Sequence, residues 1–178
     1  MTLRTICLHG PESTGKSTLA PRLAAHFGGR LVAEYGRTFA EAEGTDFTMG
    51  DLVTIARRHD AETRVALTEG PLPLILDTDP LMTEAWAEML FGRHDRWFDE
   101  WHGTADLYLL FNIDLPWIDD GTRVFGTEER RRRFFDISRQ VLEQRGVPWA
   151  LISGEGEARF AAAVAAIESF NRKSGRMV

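Results

Sequence analysis

Eight consecutive residues carry the densest chemistry in the chain: Gly10, Pro11, Glu12, Ser13, Thr14, Gly15, Lys16 and Ser17. Glycine, four residues, glycine, lysine and a hydroxyl residue is the spacing of a phosphate-binding loop. The glycines let the backbone turn tightly and approach an anion closely. Successive N–H groups then converge on phosphate oxygens, and the helix that follows adds its partly positive N-terminus. In that arrangement ATP lies on Gly10 to Thr18, Lys16 reaches its terminal phosphates, and the Ser17 hydroxyl ligates a magnesium ion.

Three acids downstream have types and positions that suit the same chemistry. Glu34 follows a short apolar run and precedes Tyr35 and an expected glycine turn at Gly36 and Arg37. Open α/β sheets place ligand-facing groups at such strand ends, and a carboxylate there can accept the proton of an acceptor hydroxyl. The plainer reading of Glu34 is a solvated turn acid paired with Arg37. Asp77 ends the buried run Leu74-Ile75-Leu76, which is where the second acid of a magnesium shell stands after a phosphate loop. Asp79 has three readings: a contact to substrate hydroxyls, a share in the metal site, or the cap of a helix opening at Pro80. His59 lies on the apolar face of a long helix, as a hydrogen-bonded core histidine or as a substrate contact.

The stretch from Asp114 to Arg123 is polar and turn-rich, yet it carries Trp117, Asp120 and Arg123. Thr127 can cap the next helix, with Glu128 and Glu129 in its first turn. Arg130 to Arg133 follow. Four arginines across one helical turn cannot all face one ligand; one or two reach ATP from a closing lid, and Arg130 is assigned that place. Trp86, Trp97, Phe98 and Trp101 read first as core.

These residues need strands to hold them. Leu3 to His9, Arg30 to Ala33, Leu74 to Asp77, Asp106 to Phe111 and Val147 to Ile152 read as five strands. Between and after them, helices are expected over Ser17 to Phe27, Met49 to Thr68, Leu81 to Phe91, Asp95 to Trp101, from Thr127, and over Ala158 to Phe170. Both faces of the fourth strand are apolar, as a central parallel strand requires. The alternation predicts an α/β fold with a five-stranded parallel sheet covered on both faces, hence three layers. The segment Ser153 to Gly156 is expected to border adenine, and the tail from Asn171 to fray.

Length and composition agree. A chain of 178 residues, 43% hydrophobic and 27% charged, is read as one domain spanning 1–178, with a lid at about 114–133. The net charge of −6 argues against a general nucleic-acid or membrane surface. The single cysteine, Cys7, excludes an intrachain disulfide and reads as a small core residue. No apolar run approaches membrane length, and the first is too short for a signal peptide, so a cytoplasmic enzyme is expected. The oligomeric state is not legible.

The order GPESTGKSTLA, AEYGR, ILDTD and PWIDDG-x-R resembles the nicotinamide-riboside kinase domain of bacterial NadR-type proteins, from about Leu3 to about Phe170. The resemblance implies a P-loop NTPase of the nucleoside/nucleotide-kinase type with sheet order 2-3-1-4-5. It also implies ATP- and magnesium-dependent phosphorylation of the ribose 5′-hydroxyl, giving nicotinamide mononucleotide. Carried onto this chain, it assigns Gly15, Lys16, Ser17 and Thr18 to the nucleotide, and Glu34, Tyr35 and Arg37 to the substrate. Asp77 and Asp79 match the acid pair, Asp120 and Arg123 the lid side. Relatives often have an aromatic residue where this chain has Ala33, which leaves Tyr35, Trp86 and Trp117 as candidates to stack on the base. Glu34 and Asp79 both remain as proton acceptor. Two other functions stay open at this stage: a kinase of another nucleoside or nucleotide, and an ATP-binding regulatory switch.

Overall fold

A computed structural model describes residues 3–119 and 123–174. Five parallel strands form one sheet: β1 (Thr5–His9), β2 (Arg30–Val32), β3 (Leu74–Asp77), β4 (Leu107–Phe111) and β5 (Trp149–Ile152), in the order β2-β3-β1-β4-β5. This is the order that the family resemblance implied. β1 lies at the centre, with Cys7 level with Leu76 on one side and Tyr108 on the other.

Alternation along these strands sorts the core into two layers. Ile6, Leu8, Ile75, Leu107, Leu109 and Phe111 pack with α1 (Lys16–His26) and α7 (Gly156–Ser174). Cys7, Leu74, Leu76, Tyr108 and Leu110 pack the other way, beneath α3 (Met49–Glu69), α4 (Pro80–Phe91) and α6 (Glu128–Arg145). Successive side chains of a strand point to opposite faces, so strands apolar at every position need a helical layer on each side. Two shorter helices, α2 (Tyr35–Glu43) and α5 (Arg96–Glu100), complete the set among the described residues.

Local signals fix several helix starts. Thr48 accepts the Asp51 N–H while the Asp51 carboxylate takes the Thr48 N–H, a reciprocal cap that opens α3 at Met49. Thr127 accepts the Arg130 N–H and opens α6, as the sequence predicts. Two expectations are corrected. The segment after Glu34 is not a glycine turn: Glu34 is extended and Tyr35 begins α2, with Gly36 inside the helix and Ala40 buried beneath it. The C-terminal helix does not stop at Phe170; α7 runs to Ser174, and the Asn171 side chain accepts the Leu3 N–H at 3.3 Å.

The order of strands reverses at β1, so the loops leaving β1, β2 and β3 open on one crevice at the carboxyl edge of the sheet. Those loops begin at Gly10, Ala33 and Thr78.

Candidate active site

β1 ends at a backbone that only glycine tolerates. Gly10 has φ +122°, and a Cβ there would stand 2.9 Å from the Phe111 carbonyl oxygen of β4. Ser13 and Gly15 take left-handed φ values of 57° and 85°, which curl the loop over the start of α1. Gly15 caps α1 without any side-chain hydrogen bond, so the first-turn N–H groups are left for an anion. Lys16 is buried and lies along the loop, its Nζ donating to the Gly10 and Pro11 carbonyls at 2.8 and 2.6 Å. Burial lowers its pKa, opposed by the charges of Glu34, Asp77 and Glu12.

Gly10, Glu12 to Thr18, Glu34, Arg37 and Arg123 all line one cavity. Glu34 sits half-buried at its edge. Desolvation and the nearby Asp77 charge push its carboxyl up to about 7, against the pull of Lys16 and Arg37. That is the range in which a carboxylate both holds its charge near neutrality and takes a proton readily. Asp77 is buried at the end of β3, and its Oδ1 has no hydrogen-bond partner. Among the described residues no group of three or more His, Cys, Asp or Glu forms a metal cage. Magnesium carried on a phosphate substrate needs only one or two protein oxygens. The Ser17 hydroxyl, exposed on the cavity wall, and the buried, unpartnered oxygen of Asp77, a residue that does not itself line the cavity, are the candidate donors.

Away from the phosphate loop the cavity turns apolar, walled by Ala40, Phe47, Leu52, Ile55, Met82 and Trp86. Phe47 and Trp86 meet edge to face with centroids 6.0 Å apart, and Trp86 also packs on Phe125 and Phe134. An aromatic-walled chamber next to a phosphate loop suits a flat heterocycle. Thr78 lines the junction at φ +73°, an uncommon conformation for a β-branched residue and a mark of strain at a working site.

Several sequence candidates stand elsewhere. Asp79 is 2% exposed and turned inward. Its Oδ1 accepts the Leu81 N–H at 3.0 Å and its Oδ2 the Tyr108 hydroxyl at 2.5 Å, so it caps α4 and does not line the cavity. Burial raises its pKa to about 6, against those hydrogen bonds. Tyr35 packs beside Phe39 with the Arg58 guanidinium over its ring. The Trp117 indole lies flat against Gly126, where a Cβ would be 3.0 Å from it. Arg130 stacks over Phe125 in a separate cleft with Met89 and Leu90. Asp120 lies outside the described residues.

The phosphate loop also grips the expected lid. The Glu12 carboxylate accepts the Val124 and Phe125 N–H groups, both at 3.1 Å. Ser13 Oγ accepts the Ile118 N–H at 2.9 Å and an Arg123 N–H at 3.2 Å. Arg123 also donates to the Ile118 carbonyl. Glu12 and Ser13 thus hold residues on either side of the 120–122 segment.

Phe47, Thr78, Met82 and Thr83 line the cavity with no signal in the sequence to single them out. Arg159 is another such residue. Almost fully buried, it bonds Asp114 and the Asn112 carbonyl at 2.6 Å each, and also the Gly154 carbonyl. It ties the loop after β4 to the loop after β5, directly behind Gly15. Arg159 and Asp114 stand 45 residues apart in the chain, so no local pattern in the sequence links them.

Comparison with known proteins gives a consistent picture. A family model described as an AAA domain matches residues 5–159. The trifunctional NAD biosynthesis/regulator protein NadR of Escherichia coli (strain K12) is 29% identical over 161 residues, covering 86% of this chain and 39% of NadR. A crystal structure of NadR protein in complex with NR superposes with a TM-score of 0.76 at 23% identity, covering 95% of this chain and 51% of that one. A second, in complex with NAD and AMP-PNP, gives 0.73 at 20% identity, covering 95% and 49%. The chain therefore spans about two-fifths to one-half of the length of these NadR chains.

Proposed function

Because this chain belongs to the AAA domain family, we propose that it is an ATP-dependent kinase that phosphorylates the ribose 5′-hydroxyl of nicotinamide riboside to give nicotinamide mononucleotide. One observation carries the reading. A single cavity runs from the phosphate loop past the Glu34 carboxylate into an apolar aromatic chamber. A nucleotide-binding switch has no use for the second and third of these parts. The similarity to NadR supports the choice of nucleoside.

In this reading the ATP phosphates lie on Gly10 to Thr18 and the nucleoside base in the apolar chamber, against the wall that Phe47 and Trp86 form. The ribose then spans the short polar strip at Glu34 and Thr78. Glu34 accepts the 5′-hydroxyl proton as that oxygen bonds to the γ-phosphorus. The bond from the γ-phosphorus to the β–γ bridging oxygen breaks, and ADP leaves. Lys16 and Arg123 neutralise charge spreading over the transferred group, an effect that a water-poor site strengthens. Lys16 must leave the Gly10 and Pro11 carbonyls to do so. Magnesium, held by Ser17 and Asp77, would neutralise charge on the phosphate oxygens.

The test is a reaction of the full chain with ATP, magnesium and nicotinamide riboside, read by product mass. The expected product is nicotinamide mononucleotide with one ADP per turnover. Phosphorylation of thymidine monophosphate but not of nicotinamide riboside overturns the proposal.

A further inference from the structure

Arg123 belongs to an irregular stretch of chain. Between β4, which ends at Phe111, and α6, which opens at Glu128, the described residues form no helix or strand. A long side chain on such a connection must be pinned by contacts, because no ladder or helical turn fixes its backbone. The phosphate loop supplies them. Ser13 Oγ accepts an Arg123 N–H at 3.2 Å. The Glu12 carboxylate takes the next two backbone N–H groups, those of Val124 and Phe125, its Oε2 accepting both at 3.1 Å.

An acid is an unfavourable residue at this place. Converging N–H groups favour an anion, and a fixed carboxylate among them repels the triphosphate they are to hold. Glu12 is turned instead onto the Val124 and Phe125 backbone. Burial raises its pKa, opposed by those two N–H groups and then by the charges of Lys16 and Arg123. Its hold bears on both ends of the cavity. Val124 directly follows Arg123. Phe125 is buried and packs on Trp86 of the chamber wall, with ring centroids 5.0 Å apart.

We propose that Glu12 is a positioning residue for the transfer: by holding the Val124 and Phe125 backbone on the phosphate loop, it keeps the Arg123 guanidinium at the transferred group. The inference rests on the kinase reading, in which Arg123 neutralises charge on that group. It gives the Glu12 carboxylate no contact with ATP, magnesium or nucleoside.

A double-mutant cycle on kcat, with both substrates saturating, tests this. Arg123→Ala should lower kcat roughly a hundredfold. Glu12→Ala should lower it roughly thirtyfold, because an arginine out of register by an ångström loses most of its effect. The double variant should fall no further than Arg123→Ala alone, whereas independent effects would multiply to about three-thousandfold. Glu12→Gln can place its one oxygen where Oε2 stands, so it should hold kcat within about threefold. ATP affinity supplies a readout of opposite sign. Removing a negative charge from the loop should leave the Kd for ATP unchanged or tighter in Glu12→Ala.

Effects that multiply in the double variant, or a Kd for ATP weakened tenfold in Glu12→Ala, would mean that Glu12 acts on the nucleotide or its metal, and either result overturns the inference. A glutamine variant as poor as alanine overturns it too, since the charge and not the two hydrogen bonds would then matter. So does a Glu12→Ala enzyme that keeps its kcat and loses only its urea midpoint, the mark of a purely structural role. If the unmodified enzyme phosphorylates a different nucleoside, the same cycle is read on that one, and only the choice of substrate falls. Failure to phosphorylate any nucleoside overturns the kinase reading, and this inference with it.

Discussion

One stretch of chain, Gly10 and Glu12 to Thr18, lines the phosphate end of the cavity. The acceptor end instead draws Ala40 from α2, Leu52, Ile55 and His59 from α3, and Met82 and Trp86 from α4. The first end is made of backbone: left-handed turns at Ser13 and Gly15, and a close approach of Gly10 to β4. The second is made of side chains held by the small cluster around Leu52, Ile55 and Ala87. A backbone nest forbids an added Cβ at its tight turns but is indifferent to most other side chains. A side-chain chamber can be reshaped by single substitutions while the fold stands. Chemistry common to many phosphate-handling proteins therefore belongs to the first end, and discrimination between acceptors to the second.

Variants can break that division, and Lys16→Ala should have the largest effect. Turnover should fall roughly a thousandfold, because a positioned positive charge is lost where the transferred group becomes most charged. The relevant measurement is kcat at saturating nucleoside together with ATP affinity. A loss under tenfold would mean that the phosphate end does not perform the transfer.

Glu34→Gln should come next, with turnover down roughly a hundredfold, about 3 kcal/mol in the barrier, and ATP binding retained. Only the ionised carboxylate can take the hydroxyl proton. With its pKa raised to about 7, kcat/KM for the nucleoside should rise about tenfold per pH unit below 7 and level off above it. The glutamine variant should lose that acid limb. A limb that persists unchanged would move the titrating group away from Glu34.

The same division explains what the sequence could reveal. The phosphate loop was legible because its parts are consecutive and its glycines answer to local geometry. β1, β3 and β4 were legible because they are apolar at almost every position. α2 was missed because Gly36 in its first turn resembles a break, whereas burial of Ala40 and packing of Phe39 outweigh the roughly 1 kcal/mol that a helical glycine costs. Phe47 stands in an irregular connection where no periodicity marks its side. Tyr35, Trp86 and Trp117 were equal candidates by type. Only the packing of Trp117 on Gly126, and of Trp86 against Phe47, separates them.

Asp79 gives the finest test, since its type and position made it the rival of Glu34. Both of its oxygens are engaged inside the protein, one by the first turn of α4 and one by Tyr108. Asparagine can keep the first bond through its oxygen and offer its amide nitrogen to the Tyr108 oxygen. Asp79→Asn should therefore hold kcat within about threefold and lower stability by about 1 kcal/mol, read from urea unfolding. Asp79→Ala loses the cap and leaves the Tyr108 O–H without an acceptor, so about 2–3 kcal/mol of stability should go while the folded fraction keeps most of its turnover. The opposite pattern, a hundredfold fall in turnover for asparagine with an unmoved urea midpoint, would return the proton to Asp79. It would also show that the edge of β3, and not the start of α2, faces the acceptor hydroxyl.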